Sequence, residues 1–191
     1  TAMYHILEAL VRWFAPILSF TAEEIWRFMP GERGESVLLE TWYELPPSHG
    51  EDIERGMGHQ FWDTIIQVRE QVSRELERLR VAGGIGSSLD AEVDLYCTPE
   101  LKEVLDRLGD ELRFVFITSY ARVHGLEGRG DEAAPCELDG LFIAVAPSAH
   151  EKCIRCWHHR EDVGRDPAHP QICGRCASNV ATDAGETREF A

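Results

Sequence analysis

The chain has 191 residues, 43% of them apolar, and a formal net charge of −15, which allows one or two domains with ordinary cores plus a small module. So acidic a balance argues against a polyanion partner for the chain taken whole. No apolar run approaches the ~20 residues that span a bilayer, and Glu8, Arg12, Glu23 and Glu24 interleave the apolar positions of residues 1–28, unlike a secretory signal.

The opening Thr1-Ala2-Met3-Tyr4 already lies within a helical pattern and reads as a piece cut from a longer protein. Met3, Ile6, Leu7, Leu10, Val11 and Phe14 recur at spacings of three and four, an amphipathic helix over residues 2–14. Pro16 interrupts it. Thr21-Ala22-Glu23-Glu24 reads as a capping box, with Thr21 as N-cap, opening a helix that stops at Pro30-Gly31. Residues 37–43 and 46–50 read as an extended loop.

The next helix has the longest apolar stripe: Phe61, Ile65, Val68, Val72, Leu76 and Leu79. Its other faces carry Arg and Glu side chains, a solvated surface. Gly83-Gly84 ends it, and the Gly-rich run to Ser88 follows a helix and precedes a strand. That order suits a helix stop and turn, not a phosphate loop. Ala91 to Tyr96 alternates as a half-buried strand. Thr98-Pro99 opens a short helix to about Leu108. Residues 112–118 and 141–145 read as strands, and 125–135 as a polar loop.

Four cysteines follow: Cys153-Ile-Arg-Cys156 and Cys173-Gly-Arg-Cys176. Two C-x-x-C pairs sixteen residues apart suit one structural zinc ion, because each tight turn aims two thiolates at a common point. Paired disulfides suit small secreted scaffolds, and a redox motif needs one pair alone. Cys97 reads as a small core residue, and Cys136 has no C-x-x-C partner. The thiols thus read as reduced, in an intracellular, cytoplasmic protein. A four-cysteine site is closed, so the metal is expected to be structural. Arg155 and Arg175 are placed to offset the −2 charge of a tetrathiolate zinc, with backbone amides around Gly174 donating to sulfur. His158, His159 and His169 are further possible ligands, though four cysteines already saturate zinc.

Residues 152–176 hold five basic against three acidic side chains, a net of +2, which leaves −17 elsewhere. The module is a basic island. Trp157 either covers one side of the metal or serves as a base-stacking platform. No catalytic motif of the Walker, G-x-S-x-G or H-E-x-x-H kind occurs, so catalytic residues are none. The expected fold class is α+β: a helical bundle portion (1–82), a small mixed α/β layer (83–148) and a zinc-ribbon-like module (149–191).

Three segments together resemble a known family. Leu18 to Trp26 resembles the "P-F-x-x-E-E-I-W" helix start of anticodon-binding domains in class I aminoacyl-tRNA synthetases, with Ser19 in place of proline. Ile85 to Val93 looks like the "I-G-x-S-L-x-A-x-V" segment of the isoleucine enzymes. Glu151 to Trp157, Ile172 to Cys176 and the end from Gly185 resemble the C-terminal zinc module of bacterial isoleucyl-tRNA synthetases. The resemblance implies a helical anticodon-binding portion of an enzyme that joins isoleucine to tRNA(Ile) with ATP and Mg²⁺. The H-I-G-H and K-M-S-K-S motifs of that chemistry are missing, which implies a chain inactive by itself that contacts tRNA. It further implies Cys153, Cys156, Cys173 and Cys176 as zinc ligands, and Arg155 and Trp157 against the anticodon stem-loop. The implied partners are that RNA and the rest of the synthetase in cis, in a monomer without membrane contact. Two alternatives stay open. The zinc module is also similar to that of formamidopyrimidine-DNA glycosylases, and zinc could merely prop a non-enzymatic interaction surface.

Overall fold

The structure is a computed structural model describing residues 2–45, 56–181, 185 and 188–190. The chain divides into two compact units, Thr1–Asp52 and Ile53–Ala191.

In the first unit, helix α1 (Ala2–Phe14) and helix α2 (Ser19–Phe28) are followed by a 3₁₀ turn at Val37–Leu39. Val11, Ala15, Ala22, Trp26, Met29 and Val37 form its core. The apolar stripe expected to bury α1 does not do so as a whole. Met3, Ile6, Leu7 and Phe14 are exposed, whereas Glu8, Ala9 and Val11 are buried. Helix α1 is apolar on more than one side, and the small core of this unit covers only the side that includes Val11. The capping box at Thr21 does not form either. Helix α2 begins three residues earlier, with Leu18 at its N-cap and no side-chain cap; Ser19 Oγ instead donates to the Ala15 carbonyl at 2.9 Å. The stop is as expected, with Met29 extended and Gly31 at φ 101°. The loop expected at 37–43 contains the 3₁₀ turn, whose Ser36 hydroxyl accepts from the Leu38 N–H. Residues 46–50 lie outside the described residues.

The second unit is built on helix α3 (His59–Val81), whose Phe61, Ile65, Val68, Val72 and Leu76 are buried as their period requires. Gly83, in the left-handed region at φ 78°, donates to Arg80 O, and Gly84 donates to Leu79 O. That is a Schellman stop, which accounts for the glycine pair. The following turn is held by a capping box between Ser87 and Asp90. Strands β1 (Ala91–Cys97), β2 (Tyr120–Gly125), β3 (Ala134–Pro135) and β4 (Leu141–Pro147) form one sheet in the order β2-β1-β4-β3. β1 runs parallel to β2 and antiparallel to β4.

Ala91, Val93, Leu95 and Cys97 of β1, with Leu141 and Ile143 of β4, pack in one core with α3. The boundary expected after residue 82 falls inside this unit, because the sheet covers the helix's apolar stripe. Helix α4 (Pro99–Asp106) starts at Pro99 as expected. The strand expected at 112–118 is absent. Those residues form helix α5 (Leu112–Phe116), ended by Ile117 at φ 59°. The buried positions 112, 113 and 116 share one helical face. Composition alone does not separate a short apolar helix from a strand. The strand is β2, eight residues on from the start of α5, with Ala121 and Val123 against the core.

Candidate metal centre and its surroundings

Cys153, Cys156, Cys173 and Cys176 converge so that their sulfurs all lie within 4.8 Å of one another. Each C-x-x-C supplies two of them. The first lies on a turn where the Trp157 N–H donates to Cys153 O, and the second runs into helix α6 (Gly174–Ala181). Apart from the single bridge between Lys152 and His159, this segment has no strand pairing among the described residues. Three of the four cysteines are buried, and Val163 and Ile172 pack around them. The cage has the donor set and size for one tetrahedral zinc, with no position left for a substrate. His158, His159 and His169 are not in the group.

The charge around the sulfurs is arranged as a tetrathiolate requires. Arg155 Nη1 donates to Cys176 Sγ at 3.6 Å, and the Cys173 N–H donates to Cys153 Sγ at 3.4 Å. The Gly174 N–H goes elsewhere, to Asp162 Oδ2 at 3.1 Å. Cys156 and Cys173 lie 3.8 Å apart. A hydrogen bond from Cys173 holds the Cys156 thiol far below its ordinary range, and the same bond with burial pushes Cys173 up. A cation that binds there competes with the protons of these thiols.

Trp157 does not cover the cage. It is 60% exposed, and its backbone sits in the left-handed region at φ 67°, a costly conformation for a bulky residue. The indole is turned outward while His158, the next residue, is buried with Nδ1 3.2 Å from Cys156 O.

The module is anchored by residues that no motif signals. The buried Ser119 hydroxyl accepts from the His159 N–H at 2.6 Å and donates to Leu89 O. Asp90 Oδ1 lies 3.2 Å from Lys152 Nζ and 3.3 Å from His159 Nε2. Burial would raise the Asp90 carboxyl, but bonds from Lys152, Ser87 N–H and His159 outweigh it and hold it lower. Arg160 lies over the Tyr120 ring at 4.3 Å, and the Glu161 N–H donates to the Tyr120 hydroxyl. This seam is formed by polar and aromatic groups at turns and at the start of β2, so no apolar period could have revealed it. The remaining cysteines stand apart from the cage. Cys97 is buried in the sheet, its thiol pushed up to about 11 by burial, and Cys136 donates to Leu138 and Leu141 carbonyls.

Among the described residues no helix is long and apolar enough to cross a membrane. Residues 1–95 match the family described as the anticodon-binding domain of tRNA ligase. Residues 151–179 match the zinc finger found in FPG and IleRS. Over its full length the chain is 59% identical to isoleucine–tRNA ligase of Nitrosococcus oceani, 58% to that of Thioalkalivibrio sulfidiphilus and 55% to that of Methylococcus capsulatus. It spans 20% of the length of each of these enzymes.

Proposed function

Because residues 1–95 belong to the anticodon-binding domain family of tRNA ligases and residues 151–179 to the zinc finger found in FPG and IleRS, we propose that this chain is the tRNA-binding part of an isoleucine–tRNA ligase. In this reading a structural zinc on Cys153, Cys156, Cys173 and Cys176 makes the tail rigid. The cage then presents Arg155 and Trp157 to the anticodon stem-loop of tRNA(Ile), the indole stacking on an unpaired base.

The observation that carries the reading is Trp157, exposed and held in a strained left-handed backbone directly after the cage. That backbone closes the cage turn, with the Trp157 N–H donating to Cys153 O, and the same turn leaves the indole facing outward, where it is available to stack on a base. The likeness to isoleucine–tRNA ligases extends over all 191 residues, which favours tRNA over the damaged DNA of a glycosylase. The exposed apolar side of the first unit, with Phe20 and Phe28 among the most exposed, suits burial by the rest of a synthetase in cis. Isoleucine activation, with ATP and Mg²⁺, belongs to that remaining part in the cytoplasm, and this chain acts in it as a monomeric RNA-binding arm.

A mobility-shift assay on the zinc-loaded chain tests the reading, with tRNA(Ile) against an equally long DNA duplex. Preferred tRNA retention that weakens in Trp157→Ala supports it. Equal retention of both nucleic acids, unchanged in the variant, refutes it. Isoleucine-dependent ATP–pyrophosphate exchange by this chain alone would refute the division of labour.

A further inference from the structure

Glu111 stands at the N-cap of α5, yet its side chain does not cap that helix. Its two carboxylate oxygens are turned to the chain's last described residues instead. Oε1 accepts the Glu189 N–H and Oε2 the Phe190 N–H, each at 2.6 Å. Two adjacent backbone donors on one carboxylate make a pair of charge-assisted bonds, the strong kind. The same segment is fixed at two further points. The guanidinium carbon of Arg188 lies 4.0 Å from the centroid of Phe114, and Phe190 packs against the core of the second unit. Ahead of it, a Cβ on Gly185 would touch Asn179, in the last turn of α6. The chain thus leaves the metal module through α6 and returns to α5.

What this return holds is α6. That helix has eight residues, of which only Cys176 and Ala177 are buried. It is too short and too little packed to be stable by itself, and it carries the last of the four thiolates. Arg175, in its first turn, lies 5.1 Å from the same Phe114 ring and bonds the Cys156 sulfur. Arg113 of α5, paired with Asp110, faces that ring at 4.1 Å. Residues 111–119 therefore receive the module at both of its ends. Ser119 takes the His159 N–H, and Glu111 with Phe114 takes the segment that follows α6. The two fastenings differ in access: Ser119 is fully buried, whereas Arg188 and Glu189 are exposed.

We propose that Glu111 is a positioning residue for the metal centre, acting through a strap formed by residues 188–190. Docked on Glu111 and Phe114, the strap tethers the far end of α6 and keeps Cys176 in the cage. Undocked, it lets α6 fray from Ala181 back towards Cys176, and the cage opens more often. The strap is the releasable fastening and the Ser119 seam the permanent one. This role is independent of whether the chain binds RNA.

The test is the rate at which the zinc-loaded chain yields its metal to excess chelator, read beside amide exchange. Glu111→Gln puts an amide NH₂ where an oxygen accepted a backbone N–H. It should raise the release rate roughly tenfold, the loss of about one charge-assisted hydrogen bond. Exchange should quicken in residues 174–181 and stay unchanged at Val93 and Leu95 of β1. Phe190→Ala should also speed release, and adding it to Glu111→Gln should change little more, because either substitution alone frees the strap. Glu111→Asp, which keeps the carboxylate, should recover part of the slow release. Release at the parental rate in Glu111→Gln overturns the proposal. So does faster release with equally faster exchange at Val93 and Leu95, which marks a weakened core. A Glu111→Asp chain that releases as fast as Glu111→Gln overturns it as well, since the charge would then not matter.

Discussion

The hydroxyl of Ser119 and the backbone N–H of His159 are 2.6 Å apart, and this contact fastens the cysteine module to the sheet. Ser119 has no exposed surface, and its oxygen is used twice, since it also donates to Leu89 O. Ser119→Ala leaves a buried N–H and a carbonyl without their partner. The expected loss is roughly 1–3 kcal/mol, read as a lower urea midpoint for the second unit. Faster amide exchange at His159 with the metal retained would mark a loosened seam instead of a broken cage.

Removing one thiolate should do the reverse. Cys153→Ser takes away a ligand whose sulfur also accepts from the Cys173 N–H, and the module has little apolar core beyond Val163 and Ile172. Zinc content should fall well below one per chain, with loss of protection in residues 152–181. Cys97→Ser, by contrast, should leave zinc stoichiometric. Equal retention by both variants would contradict the cage. Metal retention should weaken as pH falls, because protons compete for the sulfurs.

At Trp157 stability and binding should move in opposite directions. Trp157→Gly relieves a left-handed backbone that costs an L-residue roughly 1–2 kcal/mol, so the variant should melt higher. It also removes a stacking surface worth roughly 1–3 kcal/mol per base, so RNA affinity should drop. A Gly variant that is less stable would show that the indole packs after all.

The first unit carries a pH signature. Glu8 is buried between Arg33 and Arg12, at 2.6 and 2.5 Å. Burial alone would raise its carboxyl, but hydrogen bonds from Arg33, Tyr4 and Arg12 outweigh that and lower it from 4.5 to about 2. The folded value is the depressed one. The contribution to stability is therefore present above about pH 4.5 and is lost as pH falls toward 2. Carboxyl NMR on Glu8 should show a midpoint near the lower figure, and a midpoint near 4.5 would overturn the assignment. Glu8→Gln should destabilise this unit by roughly 3 kcal/mol, visible in the fluorescence of Trp26, whose ring lies within 4.9 Å of the Arg12 guanidinium and 4.5 Å of that of Arg33.

What could be read from the chain alone was whatever a local period or spacing encodes. The stripe from Phe61 to Leu76 announced α3, the Gly83-Gly84 pair its stop, and the alternation at 91–96 strand β1. Two C-x-x-C pairs announced a cage whose sulfurs do converge. The strand expected over residues 112–118 is instead helix α5, because a short, mostly apolar run satisfies both periods, and the capping signature at Thr21 lost to a helix that started at Ser19. Which side of α1 would be covered, the outward turn of Trp157, the Ser119 and Asp90 anchors and the gathering of Arg113, Arg175 and Arg188 on Phe114 were decided in three dimensions. The reason is physical. Periodicity records how each residue relates to neighbours a few positions away, whereas a hydroxyl–amide bond across forty residues or a shared aromatic ring depends on chain return, which leaves no local trace.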